Sequence, residues 1–125
     1  MAEPITVTRT IDLPLPADEL WDLISHGDRW HEWMGPSCEI EVTPGAQGEV
    51  TEDDGAVRAV RVDRVDRVAG VQFSWWPVDR ADQTSVVELV PLPRQGGSRL
   101  LVREIRATSS VSVSLRFQHQ WQMAA

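Results

Sequence analysis

Residues 5–36 read ITVTRTIDLPLPADELWDLISHGDRWHEWMGP, and the pattern in this stretch decides the fold. Ile5, Val7, Ile11 and Leu13 share one parity, while Thr6, Thr8, Thr10 and Asp12 take the other. Arg9 alone breaks the apolar set. Period two with β-branched residues predicts a strand with one buried face. Pro14 and Pro16 end it, because neither can donate a ladder hydrogen bond. The period then changes. Leu20, Trp21, Leu23 and Ile24 form a helical apolar face over residues 17–25, and Asp18 and Glu19 sit in the first turn, where the helix dipole favours acid. Gly27 suits the terminating position after this helix. Asp28 suits the cap of a second short helix that carries Trp30, Trp33 and Met34 and stops at Gly35 and Pro36. The stretch predicts a strand followed by a bent pair of helices.

Outward from there the chain reads as β-sheet. Cys38, Ile40 and Val42 alternate with Glu39, Glu41 and Thr43. Pro44 and Gly45 form a turn, and Asp53, Asp54 and Gly55 are a strong hairpin signal. In residues 57–68, Val60 and Val62 share a face and Val65 has the opposite parity. A bulge near Asp63 and Arg64 would restore the phase. This segment reads as a long, edge-like strand with a charged outer face; an arginine-lined groove is the alternative. Strands follow at 71–76, with Val71, Phe73 and Trp75 on one face and Trp76 on the other, then at 84–90 and from Leu100 to Ile105. In the tail, 107–125, Val111, Val113, Leu115 and Phe117 alternate like a strand, while Val113, Phe117, Trp121 and Ala125 form a helical stripe. The helix is preferred, because the end of the tail holds no turn signal and good helix formers. No linker or repeat divides the chain, so residues 1–125 are expected to form a single domain.

Composition limits the function. The 125 residues have a formal net charge of -7 and an apolar fraction of 42%, and every basic residue is arginine. A negative chain is poorly suited to displace counterions from nucleic acid or to bind an anionic bilayer. No run reaches the ~18 apolar residues of a spanning helix, and residues 1–6 lack the pattern of a signal peptide. One cysteine, Cys38, permits no intrachain disulfide. A cytoplasmic protein is expected. The six Trp residues require wide apolar surroundings in core, pocket or interface.

Three stretches carry a family resemblance: Pro16 to Ile24 running into Trp33–Pro36; Val60 to Trp75, with its basic turn Arg67 to Gly70; and Ser85 to Leu89 followed by Gly97 to Glu104. Their order and spacing resemble the START-like (SRPBCC) superfamily, and within it the branch named after activators of a heat-shock-chaperone ATPase. The resemblance covers about residues 5–121. It implies an α+β helix-grip fold: a curved antiparallel sheet of about six to seven strands wrapped on a C-terminal helix, with a small helix pair after the first strand. It also implies an apolar cavity between sheet and helix. Only about one helical turn follows Trp121. Relative to the family the last helix is short, which implies a truncated or unusually short member. The cavity would then be more open, or covered by a second copy of the chain or a protein partner.

Within that frame Trp33, Phe73, Trp75, Leu89, Val102, Phe117 and Trp121 are the candidate ligand-lining residues, although for any one of them core packing is the commoner role. Glu104 shares parity with Leu100 and Val102 and is the best polar candidate; the alternative places it on the solvent face, with Leu101 and Ile105 inward. His31 and Glu32 are adjacent and point about 100° apart on a helix, so no metal site is expected. His26 lies across the Gly27 break, and its direction is open. Ser109, Ser110, Ser112 and Ser114 near His119 lack the geometry of a nucleophile site. No glycine-rich phosphate loop precedes a helix, no cofactor is expected, and no catalytic residue is assigned. The leading expectation is non-catalytic binding of a small hydrophobic or amphipathic ligand. The alternatives are a co-chaperone-like interaction domain and a polyketide cyclase/dehydratase-like enzyme.

Overall fold

The alternation in residues 5–13 produces strand β1, Ile5–Leu13, in a computed structural model that describes residues 5–35, 37–52 and 54–106. Helix α1, Ala17–Ser25, begins after Pro16, whose extended backbone is suited to a helix start. It buries Leu20, Leu23 and Ile24. The second short helix is of the 3-10 type, Gly27–Glu32, and buries Trp30. Six strands follow: β2 Ser37–Glu39, β3 Gln47–Thr51, β4 Val57–Asp66, β5 Gly70–Pro77, β6 Ser85–Arg94 and β7 Gly97–Arg106.

All seven strands form one curved antiparallel sheet in the order β1-β7-β6-β5-β4-β3-β2. The order explains the bent helix pair. β1 and β2 are consecutive in sequence but occupy opposite edges. The helices therefore carry the chain across one face, with α1 against β6 and β7 and the 3-10 helix against β2. Strands β2 to β7 then return as a meander until β7 pairs with β1. The face beneath the helices, the inner face, holds the core: Ile11, Leu13, Val60, Val71, Phe73, Trp75, Val87, Leu89, Leu100 and Val102 pack with α1, Trp30 and Trp33. Each large apolar side chain buried there contributes about 1.5–3 kcal/mol relative to exposure.

Several expectations need correction. Gly27 does not terminate α1 in a left-handed conformation, since it is not among the glycines with positive φ. It is required for a different reason: a Cβ there would overlap the carbonyl oxygen of Ile40. The same close approach explains why the alternation of Cys38 to Thr43 yields only a three-residue strand, as the chain leaves the sheet beyond Glu39 to lie against the 3-10 helix. Asp28 lies in the first turn of that helix, and its N-cap is His26, with no side-chain cap bond. Strand β4 is not an edge; it sits between β3 and β5. Its register does shift between Val62 and Arg64, which leaves Asp63 as the extra residue and brings Val65 opposite Val71. Gly70 begins β5 with φ of 93°, a conformation that a side chain would strain.

Candidate functional site

Cross-strand partners share a sheet face, so the register shows which side chains meet on the inner one. Phe73 lies opposite Val87, and Val87 lies opposite Glu104. Val71, Leu89 and Val102 form the next row, and Trp75, Ser85 and Arg106 the row on the other side. Five of the expected site residues, Phe73, Trp75, Leu89, Val102 and Glu104, are thus brought together on one buried surface. Glu104 faces inward and is buried, while Leu101 and Ile105 lie on the opposite face and are half-buried. Phe117 and Trp121 lie outside the described residues, as do His119, the serines 109–114 and the expected last helix.

Trp33 reaches the same region from the 3-10 helix. Its ring centroid lies 4.9 Å from that of Trp30 and 6.5 Å from that of Phe73, and Phe73 meets Trp75 edge-on at 6.2 Å. Such tilted and edge-on aromatic pairs contribute about 0.5–1.5 kcal/mol each beyond their buried area. The polar edges of two of these indoles are already used. Trp30 Nε1 donates to the Ile24 carbonyl at 2.9 Å, and Trp33 Nε1 to the Leu23 carbonyl at 3.1 Å. Trp33 packs against Phe73 on the inner face with its polar edge held by α1.

Trp75 differs. Its Nε1 is buried with no hydrogen-bond partner among the described residues, and so is Ser85 Oγ in the neighbouring strand. The guanidinium of Arg58 lies over the Trp75 ring, 4.2 Å from its centroid, and Arg58 Nε donates to Glu52 at 3.3 Å. Only 7% of Arg58 is exposed. Sequence reasoning missed Arg58 and Ser85, although the signal was there: Arg58 shares parity with Val60 and Val62, and Ser85 with Val87 and Leu89. By the same rule Arg9 and Arg106 lie on the inner face, half-buried and engaged in interactions.

The outer face carries the remaining charge. Asp63 accepts from Arg61 Nε at 2.8 Å and from Ser74 Oγ at 2.6 Å, and Glu88 pairs with Arg64 and Arg103. Trp76 is half-buried there, with the Arg61 guanidinium 6.0 Å from its ring centroid. The arginine-rich pattern of β4 therefore divides, with Arg58 inward and Arg61 and Arg64 outward. His31 is exposed, and Glu32 is committed to Arg29 at 2.8 Å, which holds its carboxyl below the usual range. His26 is exposed, and its Nδ1 donates to the Asp22 carbonyl at 3.0 Å. Among the described residues no three metal-ligating side chains converge, and no helix is long and apolar enough to cross a membrane.

Two open depressions lie away from the inner face. One of about 510 Å³ is walled by Ser37, Glu39, Gln47, Gly48, Glu49 and Thr51, and one of about 270 Å³ by Ala17, Asp18, Arg67, Pro91 and Pro93. Neither holds an expected ligand residue.

Residues 4–120 match the protein family described as polyketide cyclase / dehydrase and lipid transport. The chain belongs to this family. No curated protein matches the sequence. Solved structures share the fold of this polyketide cyclase / dehydrase and lipid transport member. DynU16, a protein of the dynemicin biosynthetic locus, is 21% identical with a TM-score of 0.68, covering 94% of this chain and 43% of its own. This chain therefore spans less than half the length of DynU16. A protein from Rhodobacter sphaeroides is 17% identical with a TM-score of 0.70, covering 95% of this chain and 91% of its own. Ara h 8.0201 is 18% identical with a TM-score of 0.66, covering 94% and 86%. At these identities the likeness is one of fold, and that fold is the helix-grip type.

Proposed function

We propose that this family member is a single domain, residues 1–125, that binds a small apolar or amphipathic molecule against the inner face of its sheet without altering it chemically. The observation that carries the reading is a polar group set in an apolar surface: Arg58, Ser85 and Glu104 are buried on the face formed by Phe73, Trp75, Leu89 and Val102. Ligand sites combine an apolar lining with a few polar groups that fix orientation. In this reading those seven residues and Trp33 contact the ligand, and Phe117 and Trp121 complete the lining. The family's description, which includes lipid transport, supports an apolar ligand. The single cysteine suits a reducing compartment, and the proposal places the protein in the cytoplasm.

The test uses the intrinsic tryptophan emission. A panel of lipids and aromatic metabolites is titrated, and saturable shifts that vanish in a folded Trp75→Ala variant support the reading. No saturable shift with any ligand refutes it.

A protein-interaction role, including the likeness to the chaperone ATPase-activator branch or a homodimer, is the second reading. It draws on the exposed apolar side chains of Val68, 85% exposed, and Leu92. A stable oligomer or partner complex without ligand binding would favour it. An enzymatic role draws on the buried carboxylate of Glu104 and on the cyclase / dehydrase part of the family's description. Substrate turnover abolished by Glu104→Gln would favour that role.

A further inference from the structure

Two neighbouring buried donors on the inner face, Trp75 Nε1 and Ser85 Oγ, have no hydrogen-bond partner among the described residues. Trp75 and Ser85 are cross-strand partners at the end of the β5–β6 ladder, so their side chains stand side by side. Trp75 is 1% exposed and Ser85 0%. Neither the indole Nε1 nor the Ser85 hydroxyl meets a partner among the described residues. Leaving a buried polar group unpaired costs more than a typical hydrogen bond gains, so an adjacent pair of such groups points to a missing third party. An indole N–H can only donate, so that third party must present an acceptor.

The charge beside the pair narrows the class. Arg58 lies against the Trp75 ring, and the hydrogen bond described for its guanidinium is a single one to Glu52 at 3.3 Å. A guanidinium carries five donors in a planar fork matched to a carboxylate. Arg9, Glu104 and Arg106, the other charges described on this face, already have interactions of their own and are not needed.

We propose that Trp75 Nε1, Ser85 Oγ and Arg58 form a carboxylate subsite, so that the ligand is an apolar molecule with one acidic head. This rests on the ligand-binding reading above and adds the chemical class and the orientation. The apolar body lies along Phe73, Leu89 and Val102, and the head lies at the Trp75 end of the sheet. Ser98 provides an internal control. Its buried hydroxyl also lacks a partner among the described residues, but it sits opposite Leu13 at the other end of β7.

The experiment compares acids with their neutral esters on the whole chain: decanoate against methyl decanoate, and naphthoate against methyl naphthoate. Binding is followed by tryptophan emission and by calorimetry. In at least one pair the acid binds about tenfold or more tightly than its ester, the scale of a hydrogen bond to a charged group. Trp75→Phe, which keeps the ring bulk but loses the N–H, and Ser85→Ala each weaken the acid by about tenfold and the ester by less than about threefold. Arg58→Gln removes the preference, and Ser98→Ala leaves both affinities unchanged. If the ester binds as tightly as the acid in both pairs, the subsite is overturned while ligand binding stands. If neither acids nor esters bind, both readings fall. The acid–ester comparison on the unaltered chain decides the question even if a variant does not fold.

Discussion

Trp30 donates its indole N–H to the carbonyl oxygen of Ile24 at 2.9 Å, closing the end of helix α1 from outside the helix. The last turn of a helix leaves its carbonyls without intrahelical donors, and α1 has no basic residue there to supply one. Trp33 does the same for Leu23. The bent helix pair is thus joined by two indoles that fill the core with their rings and cap a helix with their edges. Trp30→Phe keeps most of the apolar burial and leaves the Ile24 carbonyl unpaired. It should cost about 1–3 kcal/mol, read as a lower urea midpoint at unchanged slope.

Arg58 should prove structural as well as functional. Its guanidinium stacks on Trp75 and bonds to Glu52, with only 9% of its side chain exposed. A desolvated cation on an indole is worth about 2 kcal/mol, and a lysine ammonium has no planar surface to stack. Arg58→Met should lower unfolding stability by about 1–3 kcal/mol, since its apolar chain refills part of the volume while Glu52 loses its partner. Arg58→Lys should recover less than half of that. Chemical denaturation of the three proteins at one pH measures both effects.

Where one periodicity governs a stretch, the sequence shows the structure. Residues 5–13 and 17–25 form the strand and helix that their patterns predict, and the bulge at Asp63 follows from the parity of Val62 and Val65. Where two constraints compete, it does not. Ile40 and Val42 alternate like strand residues, but the carbonyl of Ile40 is drawn against Gly27. Arg58, Ser85 and Glu104 share parity with buried apolar residues of their strands, but parity alone left the face of Glu104 open, because Leu101 and Ile105 offered an equally apolar inward set. Arg58 was hidden by its setting, since a run of arginines reads as a solvated face until the strand is known to be central. Which donors lack partners depends on neighbouring strands, and no single stretch of sequence contains that information.

The contact at Gly27 separates steric from conformational need. Gly27→Ala places a methyl group onto the Ile40 carbonyl, where backbone lies on both sides and neither can turn away. Overpacking of this kind costs about 3 kcal/mol. Gly45 has φ of 89° but open space around it, so Gly45→Ala should cost only about 1–2 kcal/mol from backbone strain. Thermal melts of the two variants should differ in that order. Equal melting points would mean that the chain beyond Glu39 can move off the 3-10 helix freely.

Cys38 gives the fold a signature at alkaline pH. Burial, reinforced by the charge of Glu39, pushes its thiol up to about 12, against roughly 8.5 for an ordinary cysteine. The folded chain holds this proton more tightly than the unfolded chain does. The group's contribution to stability is therefore complete below about pH 8.5 and is lost as pH rises towards 12. Urea midpoints of the natural protein should fall more steeply between pH 8 and pH 10 than those of Cys38→Ala. The same proton suppresses reactivity. At pH 7.5 a thiol reagent should label the folded chain at least about a hundredfold more slowly than the urea-unfolded chain, because the thiolate is the reacting form. Fast labelling of the folded protein would show that β2 opens from the sheet edge, where Cys38 is paired with Val50 and packed against the core.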